Sequence, residues 1–308
     1  MNWSGVMPAM TTAFDGKLAV DHNFMAQHAQ WLLANGCSGL VMLGSLGEGA
    51  TLDFAEKVAI LKNTVKTVDG TAPVVAAISS LSSNQAVTLA KEAEQAGCSG
   101  LMVLPPYIYS TDWREMKQHV SAIIAATPLS CMLYNNPVAY ITDFLPEQIA
   151  ELAQEHANLA AVKESSADVR RVAAIRAVLA DRIEILVGVD DVVVEAAGAG
   201  AKGWIAGLVN AFPAESVQLF KLAREGDFES IFPLYRWFLP LLRMDTVPKF
   251  VQLIKCVQAE VGVGSARVRG PRLELAGAEL AAAQKILKTA LRDRAKIDEV
   301  PFSRFAGA

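Results

Sequence analysis

Short apolar runs alternate along the chain with longer segments whose apolar positions recur every three or four residues. Such runs predict buried strands, and the longer spacing predicts amphipathic helices. The predicted strands lie near residues 5–12, 38–43, 73–78, 100–104, 130–134, 160–163, 184–189 and 203–208. The predicted helices lie near 24–35, 55–68, 84–96, 113–126, 146–156, 169–181, 192–197 and 215–224. Eight strand and helix repeats predict an α/β protein with the closed (β/α)8 TIM barrel architecture.

The alternation stops after about residue 226. Three helical segments follow, near 228–243, 249–261 and 278–295. We therefore predict a barrel domain over residues 1–225 and a C-terminal three-helix extension over residues 226–308. Helices in such a place either cover the barrel or make subunit contacts, and the pattern alone favours neither.

A short internal repeat supports the barrel. Gly36, Gly97 and Gly200 each end a predicted helix just before a strand, and the first two stand in closely similar sequence. Glycine suits the left-handed conformation at a helix end. We expect these turns to stabilise the bottom of the barrel and to take no part in chemistry.

Composition narrows the range of partners. The chain has 308 residues and a net charge of -4, without basic runs, which argues against nucleic acid or an anionic membrane as a partner. No apolar stretch reaches membrane length and the first residues lack a secretion signal, so a cytoplasmic location is expected. The histidines form no metal motif and none is predicted to bind metal. Free buried thiols are predicted for Cys37, Cys98, Cys131 and Cys256.

Lys163 stands inside the apolar run of the sixth predicted strand, between Val162 and Glu164. Burial disfavours the ammonium form, so a buried lysine can titrate near neutrality and attack carbonyl or imine carbons as a free amine. The run therefore predicts an enzyme that forms a Schiff base at Lys163. The alternative is a strand-end lysine that reaches solvent or pairs with Glu164.

Other candidate residues follow the strands at their carboxyl ends, where barrel enzymes carry their chemistry. Strand two leads into the turn Gly44-Ser-Leu-Gly-Glu-Gly49, whose backbone N–H groups suit a carboxylate. Tyr107 and Tyr134 follow strands four and five, where a phenol can bind a substrate oxygen or move a proton. Asn210 follows strand eight and can line the same mouth, whereas Asp191 after strand seven is predicted to cap a helix. The turn could equally be a plain connection, and each tyrosine a packing residue.

Together these pieces carry a resemblance to a known family. Over nearly its whole length the chain resembles the dihydrodipicolinate synthase and N-acetylneuraminate lyase family, on the strength of residues 44–48, 106–107, 134–137 and 162–164. The resemblance implies a class I lyase in which Lys163 forms the Schiff base and Tyr134 is the general acid and base. It implies that Ser45, Leu46 and Gly47 lie where the substrate carboxylate binds. It further implies a homotetramer that needs no metal or organic cofactor.

Three departures from the family pattern bear on the substrate. Ser45 and Leu46 stand where synthases carry two threonines. The segment Val138-Ala-Tyr140 lacks the arginine that holds a second carboxylate in synthases. Ile108 replaces a tyrosine that completes a proton relay. We therefore expect a small-molecule substrate with one carboxylate, and not the lysine-biosynthesis reaction.

The chain also resembles one branch of the family, which deaminates 1-pyrroline-4-hydroxy-2-carboxylate in hydroxyproline catabolism. This resemblance rests on the sequence of residues 5–9, 44–51, 134–140 and 245–249. This implies that Lys163 adds to C2 and expels the ring nitrogen. The C4 hydroxyl then leaves, with Tyr134 as the expected proton donor, and hydrolysis gives 2,5-dioxopentanoate and ammonia.

Two other functions remain open from the sequence. A 2-oxo acid aldolase or dehydratase acting on 2-keto-3-deoxy sugar acids, or a dihydrodipicolinate synthase-like enzyme, would use the same Lys163 but release no ammonia. A barrel that only senses a 2-oxo acid would need neither Lys163 nor Tyr134, and the presence of both disfavours it.

Overall fold

The computed structural model describes residues 1–106, 111–294 and 305. Eight parallel strands form one sheet in the order β1-β8-β7-β6-β5-β4-β3-β2. A further bridge pairs Ala9 with Val41 beyond the ends of β1 and β2, so the sheet closes into a ring. The strands are β1 Gly5–Pro8, β2 Leu40–Met42, β3 Val74–Ile78, β4 Gly100–Val103, β5 Ser130–Asn135, β6 Leu159–Glu164, β7 Glu184–Val187 and β8 Gly203–Ala206. The predicted barrel is confirmed, with each strand inside or within one residue of its predicted range.

Helices surround the ring and continue beyond it. Those that follow the strands are α1 His22–Ala34, α2 Phe54–Val68, α3 Ser83–Gln95, α4 Trp113–Ile124, α5 Pro137–Tyr140, α6 Pro146–Glu155, α7 Arg170–Leu179, α8 Val193–Gly198 and α9 Pro213–Glu225. The C-terminal helices are α10 Phe228–Leu242, α11 Phe250–Glu260 and α12 Gly277–Arg294. The three-helix extension is thus present, whereas the four-residue α5 was not predicted. The domain boundary at residue 225 stays a prediction, although α9 ends there.

The strands are buried because both of their faces are covered. All five residues of β3 are buried, which is why the strands read as continuous apolar runs and not as alternating ones. One apolar core runs from the barrel into the C-terminal helices, where Leu241 and Ile254 are fully buried. The extension therefore packs as part of the same core. The four thiols are free and buried, as predicted.

The glycine turns at the bottom of the barrel have the predicted conformation. Gly36, Gly97 and Gly200 have φ of 92°, 88° and 107°, a region that residues with a Cβ atom rarely adopt. These turns start β2, β4 and β8 at one end of the ring. The carboxyl ends of the strands consequently share the opposite rim, where the candidate residues meet.

Neither a membrane-spanning helix nor a metal-binding cluster is found in the described ranges. No helix there is long and apolar enough to cross a bilayer. No three His, Cys, Asp or Glu side chains there converge closely enough to hold a metal ion.

Candidate active site

Lys163 lies inside the barrel near the carboxyl end of β6. Only 6% of the residue is exposed, and it stands beside Tyr134 in the register between β6 and β5. Its Nζ atom lies 4.1 Å from the centre of the Tyr134 ring. Gly188, just beyond β7, leaves room for the lysine, because a Cβ atom there would lie 2.3 Å from Cε of Lys163. A nucleophile is thus held in the interior by one tyrosine and one glycine.

Glu164 does not pair with the lysine. Successive strand residues point to opposite faces, and Glu164 is turned away from the barrel interior. Its carboxylate accepts hydrogen bonds from Asn135 Nδ2 at 3.0 Å and from the backbone N–H of Ser166 at 2.7 Å. Burial raises the pKa of Glu164, and these hydrogen bonds oppose the rise. The solvent-exposed or Glu164-paired lysine considered above is therefore wrong.

Two tyrosines and a serine form a polar cluster beside Lys163. Asn136 donates from Nδ2 to the Tyr134 hydroxyl at 2.9 Å and also caps α5 by accepting from the N–H of Ala139. At the end of α5, the hydroxyl of Tyr140 contacts the Ser45 hydroxyl. The rings of Tyr134 and Tyr140 meet edge to face, 5.7 Å apart. The sequence analysis named Tyr140 only within the segment that lacks the arginine of synthases. The fold shows that this tyrosine brings a second phenol to the site.

The glycine-rich turn after β2 offers free backbone donors. The N–H groups of Ser45, Leu46 and Gly47 donate to no acceptor in the described part of the chain. Three consecutive free N–H groups form a favourable place for an anion. Thr12 fixes the turn by donating from Oγ1 to the Gly47 carbonyl at 2.6 Å. The turn lies opposite β6 in the ring, because β2 is four strands away from it.

Glu48, the acidic residue of the same turn, is an anchor and does not face a ligand. Its carboxylate is completely buried and receives a hydrogen bond from Lys255 Nζ at 2.5 Å, where Lys255 is 2% exposed. The backbone N–H of Arg269 donates to its other oxygen at 3.0 Å. Lys255 belongs to α11, so the C-terminal extension holds the turn in place.

The carboxyl groups of Asp190, which is fully buried, and Asp245, which is half-buried, lie within electrostatic range of Lys163 at the ends of β7 and β8. Asp190 accepts hydrogen bonds from Trp204 Nε1 at 2.9 Å and from the N–H groups of Gly207 and Leu208 at 3.1 and 2.9 Å. Asp245 comes from the C-terminal extension, in the turn Arg243–Asp245 that follows α10. Its Oδ1 atom is shielded from solvent and has no hydrogen-bond partner among the described residues. Sequence reasoning gave neither group a role, although Asp245 stands among the residues that carried the resemblance.

Asp191 was expected to cap a helix and does not. It lies within the 3-10 turn Asp190–Val192, and no side-chain hydrogen bond caps the helix that follows. Its carboxylate instead lies 3.7 Å from Nε of Arg243. The chain makes a tight turn after β7, which places Asp190, and not Asp191, in the interior.

Asn210 and Tyr107 complete the predicted set. The Asn210 side chain is fully buried, donates to the carbonyls of Ala9 and Gly207, and accepts from the N–H of Thr11. Each end of its amide is thus engaged by the backbone, which favours a structural role over substrate binding. Tyr107 lies outside the described residues.

A parallel eight-stranded barrel with a lysine buried at the carboxyl end of β6 defines a class I Schiff-base barrel. Comparison with known proteins agrees: residues 2–290 match the model of the dihydrodipicolinate synthetase family. The chain belongs to this family, whose members are class I Schiff-base lyases.

Similar proteins span nearly all of the chain. The 4-hydroxy-tetrahydrodipicolinate synthase of Bacillus subtilis (strain 168) is 32% identical over 243 residues, which cover 79% of this chain and 84% of the relative. The structure of the synthase from Methylacidiphilum fumariolicum SolV superimposes with a TM-score of 0.93 at 25% identity, covering 97% and 99% of the two chains. A prophage protein of the family from E. coli K12 gives a TM-score of 0.87 at 25% identity, covering 94% and 99%.

Proposed function

We propose that this enzyme converts 1-pyrroline-4-hydroxy-2-carboxylate and water into 2,5-dioxopentanoate and ammonia. The observation that carries the proposal is the pairing of one buried nucleophile with one anion site. Lys163 stands inside the barrel, and the free N–H groups of the turn at Ser45, Leu46 and Gly47 lie across from it. A substrate with one carboxylate and one electrophilic carbon fits this pair.

The segment after β5 argues against a substrate with two carboxylates. In the synthase pattern an arginine stands there, whereas this chain places α5, which contains Pro137-Val-Ala-Tyr140, at that position. α5 offers a phenol where a synthase offers a positive charge. A neutral hydroxyl binds a second carboxylate less strongly than a guanidinium does. The relatives are named synthases, and this difference is the reason for proposing another reaction here.

The proposed mechanism uses Lys163 and Tyr134 at the imine carbon. The amine of Lys163 attacks C2, the C2–N bond of the ring breaks, and the ring nitrogen leaves C2 as an amine still attached to C5. Tyr134, whose ring lies against Nζ of Lys163, transfers the protons of this step. Loss of a proton from C3 gives an enamine, which then expels the C4 hydroxyl as water. Tautomerisation and hydrolysis release ammonia and the dioxo acid.

A 2-oxo acid aldolase or dehydratase is the second candidate. The structure of the similar prophage protein from E. coli K12 is described as a complex with pyruvate. A 2-oxo acid would offer the same carboxylate and the same electrophilic carbon to this site. Such an enzyme would release pyruvate or water, and no ammonia.

Ammonia release from freshly prepared 1-pyrroline-4-hydroxy-2-carboxylate tests the proposal. Borohydride added to a parallel sample should trap an adduct at Lys163, located by peptide mass. Lys163→Ala should lose all turnover and the adduct while it melts as the wild type does. Lys221→Ala, which changes an exposed lysine on α9, is the matched control and should keep both. Adduct formation with pyruvate but no ammonia from the pyrroline would exclude the deaminase and favour the second candidate.

Assembly into a homotetramer and a cytoplasmic location also belong to this proposal. Exposed Phe54 and Leu81 line one groove between α2 and α3, which suits a subunit contact. Light scattering coupled to gel filtration would measure the mass of the assembly, and a monomer would contradict the tetramer.

A further inference from the structure

Asp245 occupies a position that the proposed mechanism has not used. It lies in the turn that follows α10, far along the chain from the barrel strands, yet its carboxyl group packs directly on Gly207 at the end of β8. A Cβ atom at Gly207 would lie 2.0 Å from Oδ1 and 2.3 Å from Cγ of Asp245. The missing side chain at residue 207 is therefore what admits this carboxyl group to the rim.

Asp245 and Asp190 have opposite hydrogen-bonding environments. Asp190 accepts from one indole N–H and two backbone N–H groups, which stabilise a carboxylate. The Oδ1 atom of Asp245 is shielded from solvent and has no partner within the described ranges, although the residue as a whole is half-buried. When two neighbouring carboxyl groups share one proton, it goes to the group with fewer donors. Asp245 is thus the neutral acid of the pair.

The charges around Asp245 agree with this assignment. Burial raises its pKa well above the usual range, and the carboxylates of Asp190 and Asp191 add to the rise. Lys163 lowers the pKa, which places Asp245 within electrostatic range of the reacting amine. Since the two raising carboxylates face it from the turn after β7, and Lys163 from β6, the acid sits on the β6 to β8 side of the mouth.

The positions of the other groups leave this side for the substrate's hydroxyl. The carboxylate is proposed to lie at the turn after β2, and C2 must reach Lys163 on β6. On the β5 side, Tyr134 and Tyr140 fill the space with two rings. The carbons beyond C3 are then directed toward β7 and β8, where Asp245 presents an oxygen without a hydrogen-bond partner among the described residues.

We propose that Asp245 is a further catalytic acid of this site and protonates the hydroxyl that leaves C4. This inference rests on the function proposed above, and it assigns to Asp245 the proton that the sequence had suggested for Tyr134. In the step, the enamine electron pair forms the C3–C4 double bond and the C4–O bond breaks toward oxygen. The oxygen takes the proton of Asp245 and leaves as water. Asp245 becomes a carboxylate and regains a proton from solvent.

The test compares three variants of the full-length enzyme on 1-pyrroline-4-hydroxy-2-carboxylate. Asp245→Asn keeps a neutral side chain of the same shape but has no acidic proton to give. Gly207→Ala leaves Asp245 in the chain but excludes its carboxyl group, and the φ of -94° at residue 207 suits alanine. Asp69→Asn is the matched control, because it makes the same chemical change at an exposed aspartate at the end of α2, on the opposite side of the barrel, where the left-handed φ of 47° tolerates asparagine.

Asp245→Asn and Gly207→Ala should lower kcat by roughly 10²- to 10⁴-fold with little change in KM, the range expected for a lost general acid. Both should still form the Lys163 adduct. After borohydride reduction, their trapped adduct should retain the C4 oxygen and be heavier by one water than the dehydrated species. Asp69→Asn should turn over as the wild type does.

The pH profile supplies a readout that a purely structural residue would not change. The acid must be protonated, so wild-type kcat should fall as the pH rises through the raised pKa of Asp245. This fall of kcat with rising pH should be absent from the residual activity of Asp245→Asn. Wild-type turnover in Asp245→Asn, or a trapped adduct that is already dehydrated, would overturn the role of Asp245 alone. No ammonia from the wild-type enzyme would overturn the proposed function and this inference with it.

Discussion

The buried ion pair between Glu48 and Lys255 supports the sharpest stability prediction. It joins the turn that carries the proposed carboxylate site to α11 of the C-terminal extension, with the two side chains 0% and 2% exposed. Lys255→Met keeps most of the apolar length of the side chain and removes the charge. Within the described ranges, the buried Glu48 carboxylate then keeps two partners, the N–H of Arg269 at 3.0 Å and Nη1 of Arg272 at 3.9 Å.

The magnitude follows from the cost of leaving one charge of a buried pair without its partner. Such changes cost about 3–5 kcal/mol, because the desolvated charge is no longer compensated. Arg269 and Arg272 still offer part of that compensation, so the lower end of the range, about 3 kcal/mol, is expected. For a chain of 308 residues, an unfolding entropy of about 2.1 cal/mol/K per residue turns this loss into a fall in melting temperature of roughly 4–5 °C.

Two further variants test whether the uncompensated charge of Glu48 causes the loss of stability. Combining Lys255→Met with Glu48→Gln removes both charges and keeps an acceptor for the N–H of Arg269. The double variant should therefore recover to within about 1 kcal/mol of the wild type. Lys249→Met breaks a pair with Glu279 in which the side chains are 51% and 57% exposed, and should change stability by less than about 0.5 kcal/mol.

The assay is urea unfolding at pH 7, followed by the fluorescence of the five tryptophans. If Lys255→Met were no more destabilising than Lys249→Met, burial of the pair would not matter for stability. If the double variant were as unstable as Lys255→Met, the loss would come from packing of the lysine stem or from its hydrogen bond to the Arg267 carbonyl at 2.7 Å, and not from the uncompensated carboxylate. Either result would refute the reasoning.

Two other predictions concern His28 and Tyr140. Burial lowers the pKa of His28 to about 4 in the folded protein, from an ordinary 6.5. Its contribution to stability is present above pH 6.5 and is lost as the pH falls toward 4, so about 2 kcal/mol should disappear between pH 8 and pH 5. Urea unfolding at these two pH values measures the loss, and the free energy of unfolding of His28→Phe should fall by about 2 kcal/mol less than that of the wild type. An equal loss in the two proteins would exclude His28 as the cause. Tyr140→Phe removes the hydroxyl that contacts Ser45, and kcat/KM should fall about tenfold at an unchanged melting temperature. Unchanged kcat/KM would show that the hydroxyl takes no part in catalysis.

The architecture was predictable because the signal for it is strong and repeated. Each buried strand appears in the sequence as a short apolar run, and each amphipathic helix as apolar positions spaced three or four residues apart. Gly36, Gly97 and Gly200 mark the turns between them. Lys163 stood out for a similar reason. Burying a charge within an apolar run is costly, so a lysine there indicates a function. The elements and the nucleophile therefore follow from local sequence.

The rest of the site depends on contacts that local sequence does not contain. Tyr140 reaches Ser45 through a helix of four residues, too short to leave a periodic pattern. Asp190 was passed over because its neighbour Asp191 looked like a helix cap. Asp245 lies beyond the barrel in the chain, and only the folded structure shows that its carboxyl group rests on Gly207. Asn210 was chosen for its position, while its side chain is fully engaged by the backbone.

The contact between Gly207 and Asp245 means that two positions compete for one volume. A side chain at residue 207 and a carboxyl group from residue 245 cannot occupy the rim together, so a change at either position alone would create a clash or an empty space. Family members that carry a larger residue at the first position would have no room for an acid from the second. We therefore expect the two positions, compared together in an alignment of sequences, to distinguish barrels with an acid at this corner from barrels without one.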